Sequence, residues 1–420
     1  MSLPTGSDTT IWPRVAAAEV VPTAPVSSAD GGVNAQAPVE RKPGSIFALH
    51  LVNGEHYSGA ERVQDLLARQ LPQFGCEVGF ACVKPERFPE ARETKTAPLV
   101  EMPMRWRFDL RIVKQLAKLC RDEGYDLIHA HTPRTALVGR LAARKAGVPF
   151  VYHVHSPAGR DSTRRVFNWI NGAAEWAAVR GADRLVTVSP SLRDYMIARR
   201  IPAERIVCVP NGVPASGYLV ERQVPTATWT LGTVALFRPR KGIEVLLEAL
   251  AALRSRNLNV RLRAVGGFET NIYKAEVLGL AERLDLAEAI DWIGFTRNVN
   301  RELAKMNLFV LPSLFGEGLP MVVLEAMAAG LPVVASHVEG VPAAVAHRET
   351  GLLVEPGSVS QLARSIEEVI AGELDYAELG RRARQRHAEQ FSDVKMAEGV
   401  ADVYRQVLAA RAAKKAAART

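Results

Sequence analysis

Cysteine is scarce. Cys76, Cys82, Cys120 and Cys208 are the only four in 420 residues, and they have neither the density of a disulfide framework nor the close spacing of a metal motif. Free thiols, as in a cytoplasmic protein, are the expectation. No apolar run is long enough to span a bilayer, and residues 1–13 lack a positive region followed by an apolar core. A cytoplasmic protein is therefore expected, and any membrane contact is expected to be peripheral, on the inner face of the cytoplasmic membrane. A strong excess of one charge is missing too: 53 basic against 45 acidic residues leave +8, too little to imply nucleic acid without a local stripe. The aromatic residues, 6% of the chain, are not interleaved with cations across a sheet surface, so nucleic-acid binding is set aside. What is present is 48% apolar and 23% charged residues, enough for a large core, in a length that predicts two domains.

Residues 1–42 are rich in Ala, Pro, Val, Ser and Gly without helical or strand periodicity, and are expected to form a disordered leader. From SIFALHLVN (45–53) onward, short apolar strands alternate with amphipathic helices through RIVCVPNGV (205–213). Single-helix crossovers between such strands give a mainly parallel sheet with helices on both faces. Residues 43–213 thus form one Rossmann-like domain, and the polar, proline-interrupted stretch 214–230 reads as an interdomain connection. A second alternation over 231–385 predicts a similar domain, with residues 386–420 a helix packing back toward the first domain and ending in a basic tail. Two open α/β sheets bind ligands beyond the carboxyl ends of their strands, so an interdomain cleft is the expected site.

The most informative stretch is SLFGEGLPMVVLE (313–325), directly after the strand NLFVLP. With Pro320 as the first helical residue, Glu317 lies in the preceding loop and Glu325 a turn and a half inside the helix, so both carboxylates can reach one ligand. Gly316 and Gly318 permit a tight turn that aims the amides of Gly318, Leu319 and Met321 at an anion such as a diphosphate. Sugar hydroxyls are the uncharged partners that suit paired carboxylates, which assigns the hexose to Glu317 and the ribose to Glu325. A plain surface turn with an exposed Glu325 is the alternative.

ALFRPRKG (235–242) also follows a strand, and there Arg238 and Lys241 can neutralise phosphate oxygens, unless the loop is an ordinary solvated one. In NGEHYSGAE (53–61), Gly59 permits close backbone approach to a phosphate or simply opens a capped helix; the run is not a GxGxxG fingerprint, so a nicotinamide cofactor is discounted. His129, His131, His153 and His155 alternate along two strands, so each pair shares a sheet face. No nearby carboxylate or thiolate set completes a zinc site, and no metal is expected. His155, last in its strand, stands at the mouth of the site and can donate to a sugar oxygen. Residues 104–118 combine cations with Trp106 and Phe108 ahead of an amphipathic helix, which suits an anionic lipid surface or a lipid-diphosphate acceptor as well as a solvated helix face.

Together these residues resemble the GT-B glycosyltransferases of glycosyltransferase family 4, over residues 45–408. The family's two-glutamate signature corresponds to Glu317 and Glu325, and its basic pair to Lys241 and either Arg238 or Arg240, since the family arginine usually stands two positions before Arg238. Its glycine-rich first loop corresponds to Ser58-Gly59-Ala60-Glu61, its donor-facing histidine to His155, and its VPNGV segment to Asn211, Gly212 and Val213. Gly266 and Gly267 correspond to the glycines after the second domain's second strand, and Gly340 to a later glycine loop. The resemblance implies two Rossmann-like domains facing a cleft and transfer of a hexosyl group from a UDP- or GDP-sugar to a saccharide or lipid-linked hydroxyl acceptor. It further implies retention at the anomeric carbon, no cofactor and no metal requirement, in exopolysaccharide, lipopolysaccharide or lipid-linked glycan assembly. A nucleotide-sugar epimerase of the same fold and an inactive nucleotide-sugar-binding protein are the alternatives. Donor base, transferred sugar, acceptor linkage and oligomeric state have no readable motif.

Overall fold

The computed structural model describes residues 42–106, 109–156, 176, 178–218 and 222–418. The leader, Arg107, Phe108 and most of the helix expected before Val179 lie outside the described residues. The first sheet comprises β1 (Ile46–Val52), β2 (Cys76–Cys82), β3 (Leu99–Glu101), β4 (Leu127–Ala130), β5 (Phe150–Val154), β6 (Arg184–Thr187) and β7 (Ile206–Cys208). The second comprises β8 (Trp229–Val234), β9 (Val260–Val265), β10 (Ile290–Gly294), β11 (Leu308–Leu311), β12 (Val333–Ser336) and β13 (Gly351–Val354). Their orders are β3-β2-β1-β4-β5-β6-β7 and β10-β9-β8-β11-β12-β13, and all of these pairings are parallel. Each sheet starts in its middle and reverses direction once, between β1 and β4 and between β8 and β11. Those two gaps are the topological switch points where loops part and ligands can enter.

Most strands are nearly continuous apolar runs, because a strand covered on both faces has no polar side to alternate with, whereas β9, next to the edge strand β10, alternates with half-buried Arg261 and Arg263. Only β3, three residues long, has no counterpart among the expected strands; its register against Phe80–Cys82 comes from pairing rather than from pattern.

The C-terminal stretch divides where the sequence predicts one helical run. Helix Tyr376–Gln390 packs within the second domain, against helix Met321–Ala328, and ends at buried Phe391. Ser392 then caps a new helix, Asp393–Ala417, by accepting from the Lys395 amide. This second helix lies on the first domain, so the return begins at about residue 392 rather than 386. Its Asp393 accepts from Arg69 at 2.8 Å and Gln70 at 2.6 Å, and Arg405 donates to the Phe74 carbonyl. Where the chain recrosses, it bonds the first crossing: the Val213 amide donates to Phe391 and the Asp393 amide to Val213.

Candidate active site

Lys241 follows β8 and Glu317 follows β11, neighbours in the second sheet, so the switch point brings the two loops into contact. Lys241 Nζ lies 2.5 Å from Glu317 Oε1, and Ser313 Oγ donates to the same oxygen at 2.7 Å. Arg240 stands 3.7 Å from that oxygen and donates to the carbonyls of Phe315 and Gly316, bracing the turn. Burial pushes the Glu317 carboxyl up, but Lys241 and Arg240 outweigh it and hold the group below the ordinary carboxylate value. Glu317 is thus an ionised, buried carboxylate with fixed orientation. Arg238 turns instead toward Glu269, 3.5 Å away. Both arginines border this loop, and Arg240 is the one beside Glu317.

Pro320 is the helix cap rather than the first helical residue: its ψ of 119° is extended, and Met321 opens the helix. Proline's fixed φ suits either position, so its presence alone cannot set the boundary to one residue. Glu325 is buried one turn further on, where Arg62 of helix Gly59–Gln70 donates to its Oε1. This ion pair joins the two domains. Glu325 Oε2 is buried without a hydrogen-bond partner.

The turn before the helix already meets an anion from within the chain. Glu339 accepts from the amides of Gly316 at 2.9 Å and Glu317 at 3.2 Å, one step before the amides of Gly318, Leu319 and Met321. Gly316 has φ +82°, the left-handed backbone that turn requires. Gly318 is glycine for a different reason: a Cβ there would lie 1.8 Å from the His155 carbonyl oxygen of the first domain. The Leu319 carbonyl accepts from Asn211, also of the first domain. The two loops therefore face each other across the cleft, with the backbone of His155 against that of Gly318.

At Gly59, a Cβ would have no atom within 4 Å, leaving its backbone open to approach, while Glu61 reaches back to the Ser58 hydroxyl and amide. Gly266 is hemmed in by protein, since a Cβ would lie 1.8 Å from the Ala235 oxygen; Gly267 next to it is the open one. In the segment before helix Ile112–Asp122, Trp106 is 58% exposed with the Arg111 guanidinium 4.6 Å from its ring, and Arg111 is paired with Asp109. Arg62, Ser313 and Glu339 are the neighbours that sequence reasoning missed. Each acts through a contact distant in the chain or through a turn conformation that no local pattern announces.

Two family models match in tandem: "Glycosyltransferase Family 4" over residues 57–216 and "Glycosyl transferases group 1" over residues 220–386. Alpha-maltose-1-phosphate synthase of Mycolicibacterium smegmatis is 30% identical over 319 residues, 68% of this chain and 80% of that protein. The chain belongs to the family-4 glycosyltransferases. This GT-B glycosyltransferase is also 26% identical, over 70% of its length and 79% of the relative's, to an Escherichia coli enzyme. That relative is the UDP-Gal:alpha-D-GlcNAc-diphosphoundecaprenol alpha-1,3-galactosyltransferase. In fold it is similar to Anabaena HepE, solved in complex with UDP-glucose, with a TM-score of 0.75 and 24% identity over 86% of this chain and all of that one. The glycosyltransferase's two sheets are thus the bilobed architecture expected from sequence, and its activity is transfer of a sugar from a nucleotide sugar to an acceptor. Among the described residues no helix is long and apolar enough to cross a membrane.

Proposed function

We propose that this glycosyltransferase moves a hexosyl group from a UDP-sugar, with retention, to a hydroxyl of a saccharide or lipid-linked acceptor in polysaccharide assembly. The observation that carries the reading is the pairing of half-buried Lys241 with buried Glu317 at the second sheet's switch point, set against His155 of the first domain through Gly318. An ammonium has three donors, so Lys241 can keep Glu317 and still meet a diphosphate oxygen. Arg240, or Arg238 on its release from Glu269, adds a second fixed cation, and Gly59 opens the first domain's helix start to the same phosphates. Glu317 holds hydroxyls of the transferred hexose, and the unpartnered Oε2 of Glu325 accepts from the ribose. His155 donates to a sugar oxygen.

In the transfer, the bond from the anomeric carbon to the diphosphate oxygen breaks as the acceptor oxygen bonds that carbon on the same face. The acceptor proton passes to the departing phosphate. Charge then grows on the diphosphate, where Lys241 and an arginine stand ready, so neither a side-chain nucleophile nor a metal is required in this step. Uracil is favoured as donor base by the UDP-galactose and UDP-glucose named for the two relatives. Trp106, Leu110 and the neighbouring arginines are the proposed acceptor-side or membrane-facing surface.

A screen of UDP- and GDP-sugars by melting shift, followed by transfer with the stabilising donor in excess chelator, tests the proposal. The expected product is a glycoside with the donor's anomeric configuration, together with UDP. An isomerised free nucleotide sugar, inversion, or activity restored only by magnesium or manganese would each overturn it.

A further inference from the structure

The first sheet's switch point holds a histidine cluster of which the proposed sugar transfer uses only His155. His50 on β1 is in register with His129 on β4, and the two-residue period places His131, His153 and His155 on the same face. Helix Asp393–Ala417 covers this face with Tyr404, whose hydroxyl lies 2.7 Å from both His50 Nε2 and His129 Nδ1. His131 Nδ1 lies 3.0 Å from His155 Nε2. His50, His129 and His131 thus have the same arrangement: one ring nitrogen bonded to a neighbour, the other buried and without a partner. Those unpartnered nitrogens are His50 Nδ1, His129 Nε2 and His131 Nε2. A metal-bound imidazole has this pattern, its free nitrogen ligating while the other donates its proton to a second group that fixes the ring. The phenolic oxygen of Tyr404 can accept from two rings, and His155 Nε2 can accept from His131.

We propose that His50, His129 and His131 bind one late first-row divalent metal ion, zinc in the first instance, as a structural centre clamped by Tyr404. One nitrogen from each of the three lies within 4.8 Å of the others. Zinc–nitrogen bonds of about 2.0 to 2.1 Å bring tetrahedral ligands to roughly 3.3 Å, so the rings close inward on the ion. His153, with both nitrogens buried and unpartnered, or a water completes the set. His131, His153 and His155 form a second group of the same kind, leading from the buried centre to half-buried His155 and so offering a route inward. An all-imidazole site selects zinc, nickel, copper or cobalt and rejects magnesium and calcium, which require oxygen ligands. The four-histidine pattern, His129 and His153 within β4 and β5 and His131 and His155 just past their ends, lacks a third strand; His50, some eighty residues before His129 in the chain, supplies it. This centre uses neither Lys241 nor Glu317 and meets the proposed transfer site only through His155, whose Nε2 braces His131; it does not rest on the donor assignment.

The test uses the full-length protein stripped of metal, then exposed to zinc, cobalt or magnesium both in the folded state and during refolding from denaturant. Bound metal is measured after gel filtration. The expected result is one zinc per chain, an intense visible cobalt spectrum of a four-coordinate nitrogen site, and no retained magnesium. Binding is lost in His129→Gln and His131→Gln and weakened about 10- to 100-fold in Tyr404→Phe, which keeps the ring packing. If the histidine variants fail to fold, Tyr404→Phe decides. No stoichiometric zinc by either route overturns the proposal, as does zinc retained equally by wild type and variants, which would place it on surface histidines.

Discussion

At the residue scale, Glu317 and Glu325 have the same side chain and different situations. Glu317 is enclosed by Lys241, Arg240 and Ser313, whereas Glu325 has one oxygen on Arg62 and the other unpartnered. Truncating Glu317 to alanine would leave the largely enclosed Lys241 ammonium without an acceptor, at a cost of about 3 kcal/mol of stability, so glutamine, whose amide oxygen still accepts from Lys241, is the informative replacement. Glu317→Gln is expected to leave UDP affinity near wild type while lowering kcat with the complete donor. Glu325→Ala is expected to weaken UDP binding by about 1.5 to 3 kcal/mol, one charge-assisted hydrogen bond. Calorimetry with UDP and initial rates with the donor separate the two; near-wild-type values for both variants would defeat the assignment. The spacing that singles out these glutamates is legible in the sequence, but Arg62 is not. An arginine one turn into an amphipathic helix looks like any solvated cation until the other domain is placed beside it.

At the scale of elements, the two crossings between domains bond to each other, and one glycine makes their contact possible. A Cβ on Gly212 would sit 2.1 Å from the Ser392 carbonyl oxygen, closer than any side-chain carbon tolerates. Gly212→Ala must push the crossings apart and should cost about 1 to 3 kcal/mol, an overpacking penalty. Denaturant unfolding will show it as a lowered midpoint, and an unchanged midpoint would mean the crossings separate freely. The segment ahead of helix Ile112–Asp122 carries a second expectation. Arg105→Ala combined with Arg111→Ala should reduce salt-sensitive sedimentation with anionic vesicles while UDP binding stays intact, each cation contributing about 1 kcal/mol near a charged surface. Wild type that ignores vesicles would end the membrane reading and leave the acceptor one.

At the scale of the molecule, a neutral histidine core gives the fold a pH limit. Burial lowers His50 to about 3, and His129, His131 and His153 also fall well below the ordinary value of 6.5, burial being the largest cause and neighbouring histidines a further one. The unfolded chain binds protons there from pH 6.5 downward and the folded one does not, so stability is full above pH 6.5 and is lost as pH falls. His50 alone accounts for roughly 2 kcal/mol at pH 5. Metal-free protein should therefore melt at a distinctly lower temperature at pH 5 than at pH 7.5, a window above most carboxylate titrations. His153→Leu, which removes no hydrogen bond, should reduce that dependence by the share His153 contributes, leaving His50, His129 and His131 to account for the rest. Equal melting temperatures at the two pH values would show that the folded core accepts protons.

The amino-acid sequence by itself determined what depends on neighbours along the chain. Apolar runs and helical periods place β1, β2 and the β4 to β13 strands close to their observed positions, and the turn residues at Gly316, Gly318 and Pro320 mark the loop that carries Glu317. Local sterics and burial on both sheet faces act within a few residues, so they leave a readable pattern. Only the tertiary structure decided which cation meets which carboxylate. Lys241 meets Glu317 because β8 and β11 are adjacent at a switch point, Arg62 meets Glu325 because two domains close, and His50 joins His129 under Tyr404 because β1 and β4 pair in register. Such contacts join residues from 76 to 354 positions apart, as in Lys241–Glu317 and His50–Tyr404. Their energy depends on distance in space, and nothing in either local segment has to record it.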